Sequence, residues 1–217
     1  MKPVLLLDLD GTLIDTPHYE AWRRAAARIG VIDFTYQEYV VHLAGRPRQE
    51  GAVRLLELKK GDARRAVRGS DDVSALAHAK QAEFLRLAAR TQLFEDARRL
   101  LERVRSTDQC VKFYTASENA AGLFEAALRG SEQSVIRECV VRQHGDQTRE
   151  ALFASLATEY PREAMILVDD APHAVDAACR LGMRGYQIRR NAYAPVPTES
   201  CARTIPTLDD IALPIRD

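Results

Sequence analysis

The sequence predicts an α/β fold built on a parallel sheet, with an all-helical insertion. Three runs carry that prediction. Val4-Leu5-Leu6-Leu7 ends in Asp8-Leu9-Asp10-Gly11, Val111-Lys112-Phe113-Tyr114 ends in Thr115-Ala116-Ser117, and Met165-Ile166-Leu167-Val168 ends in Asp169-Asp170. Short apolar runs of this kind read as buried strands of a parallel sheet. Each stops at polar side chains, and open α/β sheets bind their ligands beyond the carboxyl ends of the strands.

The first strand is the most informative element. Side chains at i and i+2 share one side of a strand, so Asp8 and Asp10 face one crevice. Gly11 lets the backbone turn away and lets a ligand approach closely. Asp10-Gly11 between apolar runs is also a hairpin-turn signal. A calcium loop is disfavoured, because a third oxygen ligand before the glycine and a closing glutamate are missing.

A long helical stretch follows. His18 to Ile29 reads as a helix stopped by Gly30. Thr35-x-x-Glu38 is a capping-box signature opening a second. Pro47 suits the first turn of a third that runs to Gly61. Val73, Leu76, Ala77, Phe84, Leu87 and Ala88 share one face of a fourth. The core resumes near Leu93, and Phe94, Ala97, Leu100, Leu101 and Val104 mark a helix ahead of the hydroxyl-ended strand. Strand and helix then alternate: Ser117–Leu128 helical, Cys139–Val141 a strand, Arg149–Glu159 helical, the acidic-ended strand, and Pro172–Arg180 helical. Tyr186–Ile188 and Ala202–Ile205 suggest late edge strands. This alternation implies a parallel sheet.

Composition narrows the function. Of 217 residues, Lys and Arg number 31 and Asp and Glu 31, a net charge of zero. Nucleic-acid and membrane-surface binders show a basic excess instead. No apolar run is long enough to span a bilayer, and the first residues form a strand rather than a signal peptide. Cys110, Cys139, Cys179 and Cys201 have no ligand-like spacing, so reduced buried thiols and a cytoplasmic location are expected.

In order, Asp8-x-Asp10-Gly11-Thr12-Leu13, Thr115 and Asp169-Asp170 resemble the motifs of the haloacid dehalogenase superfamily of phosphotransferases. The resemblance runs from end to end of the chain. It implies a Rossmann-like core in residues 1–15 and 91–217, a helical cap in residues 16–90, an aspartyl-phosphate intermediate and Mg²⁺. By the resemblance, Asp8 and Asp170 bind the cation through side chains and Asp10 through its carbonyl, with Asp169 behind them. Asp8 attacks phosphorus. Asp10 protonates the leaving oxygen and then activates water. Thr115, with nearby backbone N–H groups, holds a phosphoryl oxygen. Helix capping is the alternative reading for Thr115 and Ser117.

One departure matters. The family places a lysine between the hydroxyl and acidic motifs, yet no lysine follows Lys112. Arg149 is the first candidate to replace it, then Arg142, then His144. A solvated surface charge is the alternative for Arg149. In the insertion, Gly45-Arg46-Pro47-Arg48 resembles a segment of β-phosphoglucomutase-like members whose arginine meets a distal phosphate, which would be Arg48 here. Thr115-Ala116-Ser117-Glu118-Asn119 resembles the hydroxyl motif of the same group, implying substrate contacts at Ala116, Ser117 and Asn119. His18 and Trp22 stand near that group's histidine and tryptophan, with a shorter spacing.

The expected activity is Mg²⁺-dependent hydrolysis of a small phosphorylated metabolite, with a sugar phosphate as one option. The alternatives are a phosphomutase and a non-catalytic phosphate-binding domain of the same fold.

Overall fold

The computed structural model describes residues 3–60, 70–107, 110–128, 140–142 and 147–212. Its described residues form a parallel sheet in the order β5-β4-β1-β6-β7-β8. The strands are β1 (Val4–Asp8), β4 (Cys110–Thr115), β5 (Val140–Arg142), β6 (Met165–Asp169), β7 (Arg184–Ile188) and β8 (Ala202–Ile205). The expected Rossmann-like α/β class is therefore the one observed. β1 is central because it is wholly apolar up to Asp8 and buried along its length. It pairs in parallel with β4 and β6, with Asp8 opposite Tyr114 and Leu7 opposite Val168. That register brings the three polar strand ends side by side.

One layer of core on this sheet holds Leu5, Leu7, Phe113, Phe124, Ile166 and Val168. The other holds Val4, Leu6, Tyr114, Phe153, Leu167 and Val175. Alternate β1 residues enter opposite layers, as the two-residue strand period requires. Covering helices include α5 (Glu95–Ser106), α6 (Ala120–Ala127), α7 (Arg149–Leu156) and α8 (Pro172–Arg180). Thr148 caps α7 by accepting the Ala151 N–H at 3.1 Å, and Pro172 begins α8, where a missing N–H costs nothing.

The chain divides into two compact units, residues 1–15 with 91–217, and residues 16–90. The second is helical: α1 (His18–Arg28), α2 (Tyr36–Glu38) running into a π-helical turn over Tyr39–Leu43, α3 (Arg48–Leu58) and α4 (Ser70–Leu87). The capping box forms between Thr35 and Glu38. Trp22, Phe34, Leu55 and Leu76 lie in the core of this unit. No helix among the described residues is long and apolar enough to cross a membrane.

Three expectations need correction. β7 is interior rather than an edge strand, since β8 pairs along its outer side. A two-residue antiparallel pair, β2 (Ile14–Asp15) with β3 (Gln92–Leu93), escaped detection because so short a ladder has no periodicity. Cys179 and Cys201 are not reduced thiols but a disulfide, with Cα atoms 6.0 Å apart. The end of α8 and the entry to β8 meet only in the folded sheet, so a sequence separation of 22 gave no sign of it. Cys110 is a free thiol; Cys139, Gly61 and His144 lie outside the described residues.

Closing a loop of this length constrains the unfolded chain by about 3 kcal/mol. Cys201→Ser should therefore lower the melting temperature by roughly 6–12 °C, as should reductant. Calorimetry showing equal melting with and without reductant would refute a stabilising role.

Candidate active site

The site is built on the carboxyl ends of β1, β4 and β6. Asp8 closes β1 and is 5 % exposed. After Leu9 and the half-buried Asp10, Gly11 takes φ +76°, and its N–H donates to Ile14 O at 3.0 Å. The Asp10-Gly11 turn thus bends the chain without continuing a hairpin along β1. A Cβ on Gly11 would stand 2.4 Å from an Asp170 carboxylate oxygen. Glycine is required there on two counts, handedness and space. Thr12, fully buried, accepts the Asp170 N–H at 3.0 Å and so ties the turn to the end of β6.

Asp8, Asp169 and Asp170 each offer a carboxylate oxygen within 4.8 Å of the others. At that spacing each ionised pair repels by about 3 kcal/mol for an effective dielectric near 20. Burial first, and then Asp169 and Asp170, push the Asp8 carboxyl well above its ordinary value; Arg149 opposes them. Asp170 is pushed up in the same way, by burial and then by Asp169. Both oxygens of Asp169 are engaged. One accepts the Ala171 N–H at 2.7 Å and the other accepts the Tyr114 hydroxyl.

Thr115 ends β4 and is buried, and its Oγ1 accepts the Ser117 N–H at 3.0 Å. Ser117 Oγ in turn accepts the Asn119 N–H at 3.3 Å. These bonds shape the loop; α6 begins at Ala120, and Asn119 makes no side-chain cap. Ala116 is exposed.

Arg149 begins α7, and its guanidinium interacts electrostatically with the carboxylates. Burial works against its charge, but Asp169, the Tyr114 phenol, Asp8 and Asp170 together keep the guanidinium pKa raised. Its Nε is buried and has no hydrogen-bond partner among the described residues. Arg142 aligns with Thr115 on β5, and its side chain lies outside the described residues.

Arg48 and His18 belong to the helical unit. Arg48 donates to Gln81. His18 Nδ1 lies 2.8 Å from Lys80 Nζ, and its ring stacks on Phe84 at 4.5 Å. Lys80 is 5 % exposed and also sits over the Trp22 ring at 5.7 Å.

Several residues of the core unit escaped sequence reasoning. Arg190 donates to Gly11 O at 3.1 Å and Thr12 O at 2.6 Å, and forks onto Asp96 with two contacts of 3.1 Å. It also stacks on Phe94 at 3.6 Å. Burial raises the Asp96 carboxyl, but the Arg190 and Leu208 hydrogen bonds outweigh it and leave the group below its usual range. Gln187, fully buried, donates to Asp170 O at 3.1 Å and Pro195 O at 2.8 Å. Tyr114 and His173 complete the set. Nothing local in the sequence marks these partners.

The model of the haloacid dehalogenase-like hydrolase family matches residues 3–182, and the chain belongs to that family. A search of curated proteins gives no match. The fold is shared with an archaeal β-phosphoglucomutase from Pyrococcus sp. strain ST 04, at 22% identity, TM-score 0.72, and coverage of 97% of this chain and 95% of that one. A predicted phosphoglycolate phosphatase from Haemophilus somnus 129PT is 13% identical, with TM-score 0.77 and coverage of 97% and 96%. CbbY from Rhodobacter sphaeroides, solved with xylulose-1,5-bisphosphate, is 18% identical, with TM-score 0.69 and coverage of 97% and 96%.

The raised carboxyls set a pH dependence. In excess chelator the folded state retains protons on Asp8 and Asp170 that the unfolded chain releases near the ordinary value of 3.8. Stability should then fall as pH rises above about 4. Asp96 and Asp176, held low, titrate beneath this window. Asp8→Asn should flatten the decline and gain on the order of 3 kcal/mol at pH 8. Denaturation curves from pH 5 to pH 8 that coincide for the two proteins would contradict this.

Proposed function

We propose that the protein is a phosphatase that hydrolyses a small phosphorylated metabolite through Asp8. One observation supports this best. Buried carboxylates that repel one another interact with an arginine whose buried Nε–H has no acceptor among the described residues, so the same crevice calls for a cation and an anion. The all-oxygen donor set fits a hard, partly hydrated divalent ion such as Mg²⁺. Asp8 and Asp170 would hold it by side chains and Asp10 by its carbonyl. Bound there, the ion supplies charge neutralisation and polarises a phosphoryl oxygen. Asp169 is occupied by Tyr114 and Ala171, and so orients its neighbour Asp170 rather than binding directly.

Asp8 attacks phosphorus, the bond to the leaving oxygen breaks, and Asp10 donates the proton that oxygen needs. Asp10 then takes a proton from the water that attacks the aspartyl phosphate, releasing phosphate and restoring Asp8. Thr115 and the loop N–H groups hold phosphoryl oxygens. Arg149 provides the fixed positive charge that other family members take from lysine. A guanidinium suits this role because it stays charged and offers two donors to one phosphoryl group.

The helical unit is proposed to select the substrate. Arg48 stands one hydrogen bond from Gln81, the residue after the buried Lys80. A guanidinium there favours a substrate with a further anionic group, such as a sugar phosphate or bisphosphate.

Mg²⁺-dependent release of p-nitrophenol from p-nitrophenyl phosphate tests the reaction. Asp8→Asn should abolish it, and Arg149→Ala should slow it by roughly 10²–10³-fold. Full activity in either variant, or in excess chelator, would defeat the mechanism. Selection by the helical unit is checked separately. Arg48→Ala should impair sugar-phosphate turnover at least tenfold more than aryl-phosphate turnover, a difference of about 1.4 kcal/mol. Equal losses on the two substrates would argue against it.

A further inference from the structure

We propose that His173 is the positioning residue for Arg149. This rests on the reading of Arg149 as the phosphate-binding cation. Arg149 is the first residue of α7, and His173 is the second residue of α8, the helix that follows Asp169-Asp170. The two helix starts meet at the carboxyl end of the sheet, where Arg149 Nη1 pairs with His173 Nε2. A guanidinium only donates, so Nε2 is the acceptor and the ring proton resides on Nδ1.

The contact divides the guanidinium into two ends. The Nη1 end is held by His173. The Nε end is buried with no hydrogen-bond partner among the described residues, within the field of Asp169, Asp8 and Asp170. A long, rotamer-rich arginine loses considerable freedom when it is held in one place. It would otherwise fold its five donors onto the nearest carboxylate. A neutral acceptor at the far end prevents that collapse and leaves the Nε edge directed at an incoming anion. Lysine needs no such device, since its three donors sit on one rotating head. His173 therefore accompanies the arginine-for-lysine replacement as its steering contact.

His173 is exposed, on the first turn of a helix, so its substitution leaves the core intact. The test combines a double-mutant cycle with a spectroscopic readout. With Mg²⁺ present, His173→Ala should weaken inorganic phosphate binding and raise KM for p-nitrophenyl phosphate by about tenfold. His173→Gln, which keeps an acceptor, should restore most of the loss. In an Arg149→Lys background His173→Ala should change nothing further. By NMR, the Arg149 Nε–H resonance should be sharp in the wild type and broadened in His173→Ala.

Loss of equal size in the Arg149→Lys background would overturn the proposal, as would an Nε–H resonance unmoved by His173→Ala. If the wild type binds no phosphate, the phosphatase reading falls. The resonance then decides independently whether His173 holds the guanidinium.

Discussion

The structure is organised around like charges forced together at the end of a buried strand. Asp8 is almost sealed from solvent and has Asp169 and Asp170 as neighbours. With Asp8 and Asp169 buried and Asp170 half-buried, water screens these charges poorly. Protonation relieves the strain, as the raised Asp8 and Asp170 carboxyls show. A divalent cation would relieve it too, and would leave Asp8 ionised. Stability given up at such a site is a usual companion of activity.

Everything adjacent serves to hold that arrangement. β1 lies between β4 and β6, so parallel register alone brings Asp8, Thr115 and Asp169-Asp170 to one edge. The turn after β1 is clamped from three directions: Thr12 holds the Asp170 N–H, Gly11 leaves room for the Asp170 carboxylate, and Arg190 grips the Gly11 and Thr12 carbonyls. Arg190 is itself fixed by Asp96 and Phe94. Leaving one partner of a buried ion pair unpaired is strongly destabilising. Arg190 and Asp96 therefore form a joint between the turn and the start of α5. Gln187 performs a similar duty for the Asp170 carbonyl.

The fold was largely legible in the sequence because its signals are local. Apolar runs ending in acidic or hydroxyl residues marked β1, β4 and β6. Proline at the start and glycine after the end bounded the helix 172–180. The candidate site was legible only in part. Asp8, Asp10, Thr115 and Asp170 announce themselves at strand ends. Tyr114 reads as one more core aromatic until the sheet sets it against Asp169. Arg190 lies nearly the whole chain away from Thr12, and Cys179 and Cys201 meet through β7 and β8 packing alone. Such contacts depend on tertiary pairing, which no periodicity encodes. Arg149 was reached through an absence, the missing lysine, and its partner His173 had no sequence signal.

The central claim is that cation and phosphate complete one site together, each supplying the charge the other lacks. Titration calorimetry of inorganic phosphate with and without Mg²⁺ tests it most directly. Reciprocal enhancement of binding, with the same factor measured for Mg²⁺ with and without phosphate, is the expected result. Phosphate affinity that is indifferent to Mg²⁺ would contradict it.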